Sequence, residues 1–174
     1  GRTTVTQSRL AVTGTPGTGK TTVTEHIDTP VIHLNDVIHE SEAKFTTGRD
    51  EERDSVVVDL EAVSTWLGDR NGIIESHLAH YFDADGVVVL RCHPEELESR
   101  LRESNESAAS ISENVESEAL DLILSEAIHH HGKEHVWEVD TTDRSPHEVA
   151  DEIMAIYNGD RSPRVGIIDF TAAL

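Results

Sequence analysis

The sequence predicts an α/β domain in which a central parallel five-stranded sheet carries helices on both faces. Short apolar runs alternate with stretches of helical periodicity, the pattern of successive βαβ units. Val87-Val88-Val89-Leu90 is unbroken and β-branched, as a strand buried on both faces demands. A glycine-rich turn, Gly14-Thr15-Pro16-Gly17-Thr18-Gly19-Lys20-Thr21, separates the first apolar run from the first helical stretch. At 174 residues the chain has the length of one domain.

Strands are expected at residues 10–13, 31–34, 73–75, 87–90 and 136–139. Helices are expected between them, at residues 21–27, 60–67, 94–102, 113–130 and 146–157. The last has the clearest start. Ser145 stands at its N-cap, Pro146 at its first position and Glu148 in its first turn. Val149, Ile153, Met154 and Ile156 then follow helical spacing. Two polar stretches interrupt the pattern. Residues 39–54 are charged with Gly48 in their middle, and residues 103–113 are rich in serine and asparagine. In an α/β domain such inserts are the places for substrate clamps and lids. Residues 160–174 read as a docked tail or an edge strand. Residues 1–8 read as a polar extension ahead of a domain at 9–174.

The glycine-rich turn fits the phosphate-loop pattern G-x-x-x-x-G-K-[ST] in full. Gly17 and Gly19 let backbone N–H groups approach phosphate oxygens. Lys20 suits the β- and γ-phosphates, and the Thr21 hydroxyl suits Mg²⁺. Thr22 joins them where a helix N-terminus adds its positive dipole end. The expected ligands are therefore a nucleoside triphosphate and Mg²⁺, and the resemblance given below makes the triphosphate ATP. Glu75-Ser76-His77 comes directly after the third apolar run. A carboxylate at a strand end facing the loop can order Mg²⁺ through water. His77 can position a water or relay a proton, or it caps the next segment.

Composition narrows the partners. The formal net charge is −20, with 34 acidic residues against 14 basic ones. The acids are spread along the chain without low-complexity runs, which indicates a solvated folded surface. Such a surface fits a salt-rich cytoplasm, where screening shortens to about 3 Å at 1 M, and it predicts marginal stability at low salt. It argues against a broad direct nucleic-acid surface. Cys92 is the only cysteine, so no internal disulfide forms. No apolar run approaches ~20 residues and no leader is visible, so the chain reads as soluble and cytoplasmic, without a membrane partner. His129-His130-His131 invites a metal reading, but three consecutive residues cannot share one helical face. They suit the negative end of a helix instead. Trp66 and Trp137 read as core.

The ordered series resembles the adenylate kinase isoenzyme 6 branch of the nucleoside monophosphate kinases, in an archaeal, salt-adapted form. The resemblance rests on residues 14–22, Leu34-Asn35-Asp36, Ile74-Glu75-Ser76-His77, Val88-Val89-Leu90-Arg91, Leu97-x-x-Arg100-Leu101 and Glu113-Asn114-x-Glu116-Ser117-Glu118. It spans roughly residues 9–157. It implies a P-loop kinase fold with a monophosphate-binding insert near residues 33–57 and a lid near 103–113. It further implies transfer of the γ-phosphate of ATP to AMP or a related monophosphate, together with ATP hydrolysis. A role in maturation of the small ribosomal subunit, through ribosomal protein uS11 and the subunit precursor, comes with it. Carried onto this chain, Arg100 would stabilise the transferring phosphoryl group, with Arg91 as a second candidate, and Arg144 would contact the adenine ring. Three departures stand out. Glu75 replaces an aspartate, His39 stands where an arginine would grip the acceptor phosphate, and Ser104 stands where the lid would carry another arginine. Arg49 and Arg53 could substitute for the first missing arginine, or be surface ion pairs. Arg102 could reach in for the second. Serine lacks the bidentate, permanently charged fork of arginine. An assembly ATPase with little kinase turnover is therefore the rival reading. Kinase action on a small metabolite is a weaker one. A GTPase is disfavoured, since no lysine sits in an N/T-K-x-D sequence.

Overall fold

The computed structural model describes residues 9–50 and 55–170. Its centre is a five-stranded parallel sheet of β1 (Arg9–Gly14), β2 (Val31–His33), β5 (Gly72–Glu75), β6 (Gly86–Arg91) and β7 (Val136–Asp140). These lie in the order β2-β5-β1-β6-β7. All five expected strands form, each within two residues of its expected ends. The period of two along each strand divides the core into two layers. Ala11, Ile74, Val87 and Val89 point to one side, where they meet helices α2 (Leu34–Glu40), α3 (Glu42–Phe45), α4 (Leu60–Leu67) and α7 (Leu122–His131). Leu10, Val12, Ile73, Val88 and Leu90 point to the other. There α1 (Lys20–Thr24) contributes Val23, and α8 (Pro146–Tyr157) contributes Val149, Ile153 and Ile156. A third small cluster, Cys92, Leu97, Leu101 and Ile111, joins α5 (Pro94–Glu103) to α6 (Ala108–Ala119).

Helices α4 and α8 run as expected, and α8 starts on Ser145, whose hydroxyl accepts from the Glu148 N–H at 3.2 Å. The helix expected at 113–130 is instead two. Asp121 adopts a left-handed backbone (φ +57°) between α6 and α7 and breaks it. The first helix stops at Thr24, short of the expected 27. Of the polar stretch expected at 39–54, the described residues 39–50 carry regular structure. They include the ends of α2 and α3 and strand β3 (Thr46–Asp50), which pairs antiparallel with β4 (Ser55–Val58). Arg53 and residues 1–8 lie outside the described residues. Between α5 and α6 only Ser104–Ser107 is non-helical, so the expected lid is largely the start of α6.

The tail docks along β7. Arg164 pairs with Trp137, and Phe170 is buried with the Arg91 guanidinium 5.0 Å from its ring centre. Arg9 anchors the opposite end of the sheet, donating to the carbonyls of Arg70, Asp83 and Gly68 at 2.8–2.9 Å. Among the described residues no helix is long and apolar enough to cross a membrane.

Candidate active site

Functional residues collect at the carboxyl edge of the sheet, the side on which open α/β sheets bind ligands. They line a cleft of about 640 Å³. The loop after β1 forms its floor. Gly17 has φ +96°, and a Cβ there would lie 2.8 Å from Leu97 and 2.9 Å from Leu101, so only glycine lets the loop sit on α5. Gly19 has φ +101° and opens α1 directly. Two bonds close the turn, from the Thr18 N–H to the Thr15 carbonyl at 3.1 Å and from the Thr18 hydroxyl at 2.7 Å.

Lys20 is buried, and its Nζ donates to the carbonyls of Gly14 (2.9 Å) and Thr15 (3.1 Å). Burial pulls its ammonium down from 10.5 to about 8, against the upward pull of the Glu75 and Glu118 carboxylates. Thr21 is exposed to the cleft, with its hydroxyl 3.5 Å from Glu75 Oε1. Sheet register makes this meeting possible. Glu75 ends β5 beside Val12 of β1 on one side and His33 of β2 on the other. His33 Nδ1 donates to Glu75 Oε1 at 2.7 Å. Thr21 and Glu75 together present hard oxygen donors of the kind Mg²⁺ takes.

His77 lies across the cleft floor. Burial, the Lys20 charge and His80 push its imidazole down to about 4, so it is neutral near pH 7. Its Nδ1 accepts from Asn35 Nδ2 at 3.5 Å, and Asn35 Oδ1 accepts from the Ser76 hydroxyl at 2.8 Å. Asn35 thus fixes the segment after β5 from the first turn of α2. His77 is among the residues that line the cleft.

Arg100 also lines the cleft, but its guanidinium is engaged. It donates to the carbonyls of Thr18 (3.1 Å) and Thr141 (3.2 Å), and it pairs with Glu96. Arg144 lines the far end with Pro146 and Val149, and bonds Glu152 at 2.8 Å. Gly17, Gly19, Thr22 and Ser104 complete the wall.

Arg91 and Arg102 lie outside the cleft. Arg91 is 1% exposed and is not among the residues lining the cleft. It donates to Glu118 (2.9 Å), Glu138 (2.6 Å) and Asp121 (2.5 Å), so the second phosphoryl clamp expected from resemblance is a buried structural cation. Arg102 is exposed and pairs with Glu98 at 3.1 Å. His39 is exposed near Glu42 and does not line the cleft. His129, His130 and His131 end α7, and no metal-binding group of three His, Cys, Asp or Glu residues occurs among the described residues. Cys92 is buried, and desolvation raises its thiol to about 12. One residue at the site, His33, and one contact, between Thr15 and Glu118, escaped the sequence reading. His33 is visible only once β2 is known to flank β5. The bond between Thr15 and Glu118 joins residues 103 apart.

A family profile described as "AAA domain" matches residues 10–121. A protein of Natronomonas pharaonis named "Putative adenylate kinase" is 56% identical over 95% of this chain and 99% of its own length. One of Halobacterium salinarum with the same name is 50% identical, covering 94% and 98%. One of Methanothermobacter thermautotrophicus is 42% identical, covering 95% and 98%. Among solved structures, a sulfotransferase from Alicyclobacillus acidocaldarius superposes with a TM-score of 0.50 at 13% identity, covering 94% of this chain and 87% of that one, a likeness of fold alone. By fold, by the loop at residues 14–21 and by identity over nearly its whole length, the chain belongs to the archaeal P-loop family of these adenylate-kinase-named proteins.

Proposed function

We propose that this chain transfers the γ-phosphate of ATP to AMP or a related nucleoside monophosphate. The carrying observation is the convergence of Lys20, Thr21, Glu75 and His77 in one cleft with Asn35 on its acceptor side. The names of its relatives support the same reading. Lys20 and the loop amides hold the donor phosphates, and Lys20 opposes charge that grows in the transition state. Thr21 and, through water, Glu75 would hold Mg²⁺, and the ion would supply charge neutralisation at the phosphate oxygens. Arg100 stabilises the transferring phosphoryl group once it leaves the loop carbonyls, and Arg144 faces the adenine. His77, neutral and held at Nδ1 by Asn35, presents its Nε2–H as a hydrogen-bond donor to the acceptor or to water. Closure of residues 103–113 excludes water, which limits wasteful hydrolysis.

A second reading is favoured by a specific feature. Ser104 gives the cleft no cation at the lid, and Arg102 is tied to Glu98. That arrangement suits slow transfer and ATP hydrolysis, with ATP turnover switching a complex in small-subunit maturation. A basic ribosomal protein of the uS11 type suits the acidic surface. Both roles are cytoplasmic. The deciding assay compares ATP alone with ATP plus AMP under Mg²⁺. ADP formed faster with AMP supports the kinase, and an AMP-independent rate overturns it in favour of the ATPase.

A further inference from the structure

Thr15 is fully buried at the second position of the phosphate loop. Its hydroxyl donates to Glu118 Oε1 at 2.8 Å. Its carbonyl is the hub of the loop, accepting from Lys20 Nζ, the Thr18 N–H and the Thr18 hydroxyl. Glu118 stands near the end of α6 and is 2% exposed. Its Oε2 accepts from Arg91 Nε at 2.9 Å and from the Cys92 N–H at 2.8 Å. A carboxylate beneath a loop shaped for an anion opposes that anion through a low-dielectric interior. The loop binds phosphate in spite of this charge, so the charge must supply something else. Geometry identifies what it supplies. Three donors from two segments converge on it: Thr15 after β1, and Arg91 at the end of β6 with Cys92 just beyond. α6 begins four residues after Ser104, so Glu118 is also the point where the helix beyond the lid touches the loop.

We propose that Glu118 is a positioning residue of the phosphate loop, which it holds through Thr15 so that Lys20 and Thr18 stay aligned. Through it the helix that carries the lid is linked to the donor-phosphate floor. The proposal rests on the nucleotide-binding reading only for its effect on ATP.

Three variants test it. Thr15→Val removes the hydroxyl at nearly constant shape and leaves Glu118 one donor short. Glu118→Gln keeps the volume and turns the charge-assisted bond to Thr15 into a weaker neutral one. Thr15→Ser keeps the bond. Two readouts are taken on the full chain. One is amide exchange at Thr18 without nucleotide, compared with the Val12 and Val88 amides of the same sample. The other is the Kd for ATP. Losing a bond to a buried carboxylate corresponds to about a tenfold change. Thr18 exchange is expected to accelerate about tenfold over the two reference amides in Thr15→Val and Glu118→Gln. ATP affinity is expected to fall about as much in Thr15→Val, where the Glu118 charge is kept, with Thr15→Ser near wild type. Unchanged Thr18 exchange overturns the proposal. So does equal acceleration of all three amides, which marks a merely global role, and so does wild-type ATP affinity in Thr15→Val. If the wild-type chain fails to bind ATP while Thr18 exchange still responds, the nucleotide reading falls and the role of Glu118 stands.

Discussion

His33 and Glu75 are register partners on adjacent strands, and they meet at 2.7 Å at the mouth of the cleft. The same Glu75 oxygen lies 3.5 Å from the Thr21 hydroxyl. His33 therefore sets which rotamer of Glu75 faces Thr21. Groups that orient a metal-side carboxylate typically matter by ten- to a hundredfold. His33→Ala is expected to lower Mg²⁺-dependent turnover about tenfold and to raise the Mg²⁺ concentration for half-maximal rate. A Mg²⁺ titration of the initial rate checks it, and an unchanged half-saturation point refutes it.

The protonation of Lys20 sets a pH limit on nucleotide binding. Its ammonium titrates near 8 because burial disfavours the charge. Phosphate favours the protonated form, so binding ATP raises that value. Below about pH 8 the free chain is already protonated, and affinity is flat. Above it, a proton must be taken up with ATP, and the Kd is expected to rise toward tenfold per pH unit. Calorimetry from pH 6.5 to 9.5 in buffers of different ionisation heat reads both the affinity and the proton uptake.

Much of this was legible in the sequence, for identifiable reasons. The five strands are short apolar runs whose burial leaves little choice, and the loop is a local motif between two of them. The hairpin β3–β4 was not legible, because residues 46–58 lie in a stretch with few apolar residues and no sustained period. The break at Asp121 was hidden because Leu120 and Leu122 continue the apolar pattern, although they are 43% and 48% exposed. The engagement of Arg100 and the burial of Arg91 depend on contacts between segments far apart in the chain. Residue type alone gives a cation no address.

Cys92 is predicted to be inert. It is 0% exposed, and desolvation raises its thiol to about 12, so the reactive thiolate is scarce at pH 8. A thiol reagent at pH 8 should leave it unmodified over hours in high salt and label it fully in denaturant. Rapid labelling of the folded chain would contradict the packing of Leu97, Leu101 and Ile111 around it.

Salt should stabilise the fold. The chain carries a net charge of −20, and its acids are spread along the sequence. Their mutual repulsion reaches across about 10 Å at 0.1 M salt but only about 3 Å at 1 M. The melting temperature is expected to rise steadily between 0.1 M and 2 M KCl. A salt-independent melting curve would show that the acidic surface exerts no net repulsion.

Gly17 offers the sharpest test of how the loop is seated. Its φ of +96° disfavours any side chain, and a Cβ would press on both Leu97 and Leu101. Strain at such a backbone position costs about 1–3 kcal/mol. Gly17→Ala must either absorb that cost or lift the loop from α5. Lifting would carry Arg100 with it, since its guanidinium bonds the Thr18 carbonyl at 3.1 Å. Adding Leu97→Ala to Gly17→Ala removes one of the two clashes and gives the Leu101 side chain space to move off the other, but leaves the backbone strain. If contact dominates, the double variant recovers ATP affinity while remaining less stable than wild type, because Leu97→Ala itself opens a cavity costing about 2–5 kcal/mol. If φ dominates, affinity stays low in both. ATP titrations alongside chemical denaturation of the two variants separate the outcomes.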